Sequence, residues 1–330
     1  MFSALYLILC SLTSQQGDVV YPIPDSISLS APGSYATLIV ESKNKNGLIT
    51  DLTDEVSARI ENPEIAMVFQ GRVYGKKAGN TRLLVDVQGK QIVVPVSYKP
   101  SQLEISPTFN HDLEPILARH QCNSSGCHGK AEGQNGFKLS VFGSDPDFDF
   151  GSIFLESRGR RVMTESPANS LFVRKMSGMI SHGGGARIPD NNPDYQTVIN
   201  WIKGGAPKTN DAIPDVVGIE VQPPFRIIKG GSKQRLTVFA TLKDGSRKEV
   251  TAHARFFSNH EALASVDIHG TVSTNEIPGE AVILVTYRNK TSVFRAILPA
   301  VHQYTAGKKY SDENWIDHLI QTKLDTLRIP

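Results

Sequence analysis

The 330-residue sequence carries almost no net charge: 35 basic and 33 acidic residues leave a formal +2. That balance gives no electrostatic footprint for nucleic acid or an anionic membrane surface. No long apolar run occurs beyond the first residues, which excludes an internal membrane-spanning helix. Cysteine is scarce, at three residues, and no Cys–Trp–Cys core exists, which excludes an antibody-type domain. A hydrophobic share of 39% with 21% charged residues is too apolar for a disordered chain and ordinary for globular domains. At about 100–200 residues per domain, the length predicts two or three of them. The 27 glycines and 19 prolines predict many turns, as β-rich modules need.

The opening MFSALYLILCSLTSQQG reads as an export signal rather than as structure. Ala4 to Leu12 forms its apolar stretch and Ser14 supplies a small residue before a cleavage site, although no Lys or Arg precedes the stretch. Residues 1–14 are therefore assigned to a signal peptide, and the mature protein to the periplasm, the cell surface or the medium. Leu9 is too bulky for Cys10 to be a lipoprotein cysteine. Removing the segment leaves Cys122 and Cys127. Outside the cytosol such a pair is a disulfide, a metal site or a cofactor attachment.

Residues 18–100 and 215–300 both read as short alternating strands separated by Gly, Asn and Asp. The two stretches also match each other. Gly47, Leu52 and Thr53 correspond to Gly245, Val250 and Thr251. Asn62 and Glu64 correspond to Asn259 and Glu261, then Gly71 and Val73 to Gly270 and Val272, and Gly79 to Gly279. The small drift in offset is what loop insertions between strands produce. About 80 residues with seven or so short strands is the size of an immunoglobulin-like sandwich. Neither copy gathers acid, base and nucleophile at a readable spacing, so no enzyme is assigned.

Residues 101–210 differ from both flanks. Phe109, Leu113, Ile116 and Leu117 fall on one helical face, with Pro115 near the first turn. Tyr195, Val198, Ile199 and Ile202 form a second such face, stopped by Gly204 and Gly205. Between them stands Cys122-Asn-Ser-Ser-Gly-Cys127-His128. Two thiols can add to the vinyl groups of haem while the adjacent histidine ligates the iron, and this C-x4-C-H spacing keeps that adjacency. A Cys122–Cys127 disulfide, or zinc held by His120, Cys122, Cys127 and His128, are the other readings of the same residues. A sixth ligand is sought among Met176, Met179 and His182. His182 is chosen because the three glycines after it let the backbone bend close to a flat macrocycle. Arg160, Arg161 and Arg187 are the candidate partners of haem propionates, and Phe137, Leu139 and Phe142 alternate as a strand lining the pocket would.

The motifs C-N-x3-C-H-G, G-F-K-L-S-V-F-G, G-R-R-V, S-L-F-x-R-K, H-G-G-G and W-I-x-G-G-A-P make the central segment resemble the planctomycetal cytochrome c-like region. The flanking stretches resemble bacterial Ig-like group 2 modules, through a D-x-T or V-T corner ahead of G-x-V. The resemblance implies two all-β Ig-like sandwiches around a mainly α c-type cytochrome domain. It implies one covalent haem c on Cys122 and Cys127, ligated by His128 and His182, with electron transfer to a redox partner protein as the activity. Neither nucleic acid nor an integral membrane span belongs to this picture. Residues 301–330 read as a linker and the start of a further module, itself a possible partner within a longer polypeptide. The rival is a haem-free surface or adhesion protein with Cys122 and Cys127 bridged; peroxidase-like activity at an open haem is a third reading.

Overall fold

The computed structural model describes residues 18–300 and 314–329, apart from 31–33, 46, 70, 101–105 and 212. The expected signal segment 1–14 lies outside the described residues, as does most of the expected linker.

The first β unit is organised around the nine-residue strands Gly79–Val87 and Lys90–Tyr98, an antiparallel hairpin. Its two-residue turn places Gln88 and Gly89 at φ 48° and 75°, the left-handed geometry that matches strand twist. Leu83, Val85 and Val87 face inward with Val94, Val96 and Tyr98, the period of two expected of a half-buried sheet. Ile27–Leu29 joins the hairpin in parallel and Ser57–Ile60 joins its other edge antiparallel. Two three-stranded sheets accompany this one: Val19–Ile23, Ile39–Lys43 and Ile49–Asp51, then Tyr35–Thr37, Arg72–Gly75 and Ala66–Phe69.

The second unit repeats this strand order. Phe225–Ile227, Lys290–Leu298, Gly279–Tyr287 and Arg255–Ser258 form its four-stranded sheet, again with one parallel edge. The repeated threonine corner has a physical cause. Thr53 Oγ1 accepts the Val40 N–H at 3.0 Å and Thr251 Oγ1 accepts the Val238 N–H at 2.9 Å. Each hydroxyl in turn donates to the acid two residues earlier, Asp51 or Glu249. The pair of residues thus satisfies a strand N–H that pairs with no neighbouring strand.

The sandwiches touch. Glu41, fully buried, accepts from the Arg226 Nε at 2.9–3.0 Å, from Gln234 Nε2 at 2.9 Å and from the Tyr21 hydroxyl at 2.7 Å. Asp51 accepts the Arg235 N–H, Glu249 the Thr37 N–H and the Tyr35 hydroxyl the Ala252 N–H, each at 2.7 Å.

In the central unit a π-type turn, Phe109–Leu113, runs into α1 (Glu114–Arg119), followed by α2 (Pro146–Phe150), α3 (Leu171–Met176) and α4 (Pro193–Lys203). The expectation of a mainly α domain is corrected here: among the described residues of this unit, α4, at eleven residues, is the only regular α-helix longer than two turns. The intervening chain is turns and short 3-10 segments, because Gln121, Asn135, Phe142, Ser157 and Arg158 adopt left-handed backbone and interrupt any longer helix. Taken whole, the described chain is mostly sandwich-like β-sheet. The two apolar faces do meet, Phe109, Leu113, Ile116 and Leu117 packing into one core with Val198, Trp201 and Ile202. The unit leans on the second sandwich, where the Arg255 guanidinium lies 3.6 Å from the centre of the Phe142 ring. A last helix, α5 (Trp315–Leu327), is capped by Asn314 and meets the second sandwich where the Ala300 N–H reaches the Leu327 carbonyl. No helix among the described residues is long and apolar enough to cross a membrane.

These contacts bear on proteolysis. Polar, proline-bearing stretches at Lys99–Ser106 and Lys208–Asp215 are the expected cut sites. Yet Phe109 and Asn110 N–H groups bond the Pro207 and Lys208 carbonyls at 2.9 and 3.0 Å. Limited trypsin treatment should therefore nick the chain on a denaturing gel while gel filtration still shows one particle. Separate elution of a fragment of about 100 residues would mean that the units dock only weakly.

Candidate functional site

The cysteine loop begins where α1 ends. His120 closes the helix, Gln121 turns with φ 59°, and the Cys122 N–H still bonds the Leu117 carbonyl at 2.9 Å. The four residues after Cys122 wrap into a tight turn: Cys127 N–H bonds Ser124, and His128 N–H returns to the Cys122 carbonyl, both at 3.0 Å. The next residue must be glycine, since a Cβ on Gly129 would stand 2.2 Å from the Asn123 carbonyl oxygen. Both cysteines are free, so the disulfide of the rival reading is not formed in this structure. Burial pushes the Cys122 thiol up to about 12, so it is held protonated.

Cys122, Cys127 and His128 open onto a cavity of about 570 Å³ with Phe137, Leu139, Phe172 and Met176 in its walls. His182, Arg160, Arg161, Lys175 and Arg187 line it too, and no carboxylate does. Such an apolar, cation-edged space suits a flat apolar ligand with acidic groups. Cys122, Cys127, His128, His182 and the three arginines expected from the sequence therefore border one cavity. Phe142 does not. Its backbone adopts φ 55° and its ring lies under Arg255 instead, because the expected strand is only a single bridge between Gln134 and Phe137. Met179 is half exposed and absent from the cavity lining, whereas Met176 is buried within it.

The imidazoles are set by backbone carbonyls. His128 Nδ1 lies 3.0 Å from the Phe137 carbonyl oxygen and His182 Nδ1 lies 2.9 Å from that of Gly185. A carbonyl only accepts, so each Nδ1 carries the proton and each Nε2 keeps its lone pair. Burial also draws the His128 imidazolium below its usual range, which favours the neutral ring. Gly185 makes the His182 arrangement possible: at φ 73° its N–H bonds the His182 carbonyl while its own carbonyl turns back to the ring. The two rings are 6.1 Å apart at their centres, with planes only 9° from parallel.

Arg161 departs from its expected role. It is buried, donating to the Ser152 carbonyl at 2.6 Å and the Gly136 carbonyl at 3.0 Å, and so is already engaged. Arg187 keeps a buried Nε without a partner and brings Nη2 to 3.9 Å from Cys127 Sγ. His120, a member of the zinc reading, is bonded to Asp194 at 2.7 Å. No group of three or more His, Cys, Asp or Glu converges to hold a bare ion among the described residues.

No family model matches the chain, and no curated protein matches it. Among solved structures, the chain is similar to domains 5–6 of the S-layer protein SbsC, at 12% identity over 87% of this chain and all of that one, TM-score 0.33. It is also similar to domains 4–9 of SbsC, at 12% identity over 88% of this chain and 34% of that one, TM-score 0.31. With no family model matching, the expected membership in the planctomycetal cytochrome c-like and group 2 Ig-like families is corrected. The cytochrome and electron-transfer assignments that came with that membership are withdrawn with it.

Proposed function

We propose that this chain is an exported or surface protein in which two sandwiches frame a central unit, and that the unit's cavity takes one covalent haem c. The ligand reading rests on geometry, and one observation carries it. Two imidazoles sharing one metal through Nε2, each about 2.0–2.1 Å from it, have ring centres roughly 6 Å apart. His128 and His182 have ring centres 6.1 Å apart and planes 9° from parallel, and a backbone carbonyl holds each Nδ1. Among the described residues no third His, Cys, Asp or Glu joins them to hold a bare ion.

Cys122 and Cys127 would hold the macrocycle by thioether bonds, His128 and His182 would ligate its iron, and Arg160 and Arg187 would face its carboxylates. When bound, haem supplies an iron that can change oxidation state. The carbonyls of Phe137 and Gly185 set the two imidazole tautomers, and Phe137, Leu139 and Phe172 would supply the apolar walls around the group.

A second reading, the surface protein without haem, is favoured by the architecture, since two sandwiches with no reactive cluster supply most of the described chain. Expression in a periplasm that attaches haem, followed by a pyridine haemochrome spectrum and intact mass, separates the two. Haem should be found bound covalently, and Cys127→Ser or His128→Ala should lower its yield by about tenfold or more. Wild-type protein without covalent haem, its Cys122 and Cys127 bridged, would leave the surface protein alone standing.

A further inference from the structure

We propose that Arg161 is a positioning residue for His128, acting through Phe137 rather than through the carboxylates of any ligand. Phe137 connects the two. The Arg161 guanidinium lies 4.7 Å from the centre of the Phe137 ring, and that ring lies 4.5 Å from the His128 imidazole. The Phe137 carbonyl is the acceptor that fixes the His128 Nδ1 proton, and it also receives the Gln134 N–H at 2.8 Å. Arg161 holds this carbonyl in place from the preceding residue, since its Nη2 grips Gly136. Its other arm binds Ser152, on the segment following α2, and Glu156 lies 3.6 Å away. Two rigid donors of one planar group thus tie separate loops together at the residue that orients the imidazole.

An outer partner of an imidazole ligand sets its tautomer and direction, and losing such a partner commonly weakens metal binding by about 10- to 100-fold. Arg161→Lys keeps the charge but loses both the fork and the flat face over Phe137. Lysine should therefore fail to substitute, which a purely electrostatic role would not predict.

The inference about Arg161 stands on the chain's own hydrogen bonds; only its ligand consequence rests on the haem reading. With histidines labelled by nitrogen-15, wild-type protein without haem should show His128 as one tautomer, protonated at Nδ1. In Arg161→Lys the His128 Nε2 signal should move towards the average of two tautomers, while the His182 signals stay in place. Phe137→Leu, which keeps the Gly136 bond but removes the ring contacts, should move His128 the same way and serves if the lysine variant fails to fold. Ferric haem added to the folded variants should bind about tenfold more weakly than to wild type. Folded variants with unchanged His128 signals would overturn the positioning role. Unchanged wild-type protein that refuses ferric haem would instead count against the haem reading alone.

Discussion

Glu41→Ala should cost about 3–5 kcal/mol of folding stability, the loss expected when one member of a buried ion pair is removed. Glu41 has no exposed surface, and Arg226, 185 residues later in the chain, reaches it with Nε and Nη2. The truncation leaves that guanidinium largely out of water beside an apolar gap. It also strips Gln234 Nε2 and the Tyr21 hydroxyl of an acceptor. Glu41→Gln, which keeps acceptor capacity without the charge, should fall between wild type and alanine. The control is Glu220→Ala, since Glu220 pairs with Arg247 at 2.9 Å but both side chains are about half exposed. Exposed pairs of that kind contribute no more than about 1 kcal/mol. Urea unfolding of the three variants supplies the comparison. Equal losses for Glu41→Ala and Glu220→Ala would show that the sandwiches do not depend on this junction.

Local rules made much of this chain legible. The alternation in RLLVDVQ and QIVVPVSY becomes the Gly79–Val87 and Lys90–Tyr98 hairpin, and the matching Thr53 and Thr251 occupy the same hydrogen-bonded corner. Both helical faces were readable because apolar spacing is a property of neighbouring residues. The adjacency of Cys127 and His128, with His182 beside three glycines, likewise pointed to one cavity. Helix length was not legible, since left-handed residues such as Gln121 and Phe142 are not glycines and carry no obvious sign of a break. Contacts between the units were invisible for a different reason. Nothing local marks Glu41 as the partner of Arg226, or Phe142 as the ring beneath Arg255. Arg161 shows the same limit at the site: the residue type suits a carboxylate, and only the fold reveals that its donors are already engaged.

Glu114→Gln should stabilise the protein at pH 9, the opposite of the usual effect of altering a buried, bonded group. Glu114, at the start of α1, is buried and accepts from Asn123 Nδ2 at 2.9 Å, behind the cysteine loop. A Cβ on Gly143 would lie 2.0 Å from its Oε1, so the chain closes tightly over the carboxyl. Burial first, and the neighbouring Asp149 carboxylate second, raise Glu114 to about 8. Burial raises Asp149 too, but Ser140 donates to it from both its N–H and its hydroxyl, at 2.5 and 2.7 Å, which favours its charged form. The folded state therefore prefers neutral Glu114. Its full stability is present below the ordinary carboxylate range and is lost as the pH rises through about 8. A shift of this size corresponds to something on the order of 5 kcal/mol between the two extremes. Glutamine keeps an acceptor for Asn123 and cannot ionise, so its stability should be nearly flat over that interval. The difference between wild type and Glu114→Gln, followed by urea unfolding from pH 5 to 9, should grow in favour of glutamine as the pH rises. Parallel curves across that range would mean that Glu114 is ionised in the folded protein throughout, and that the carboxyl pair does not share a proton.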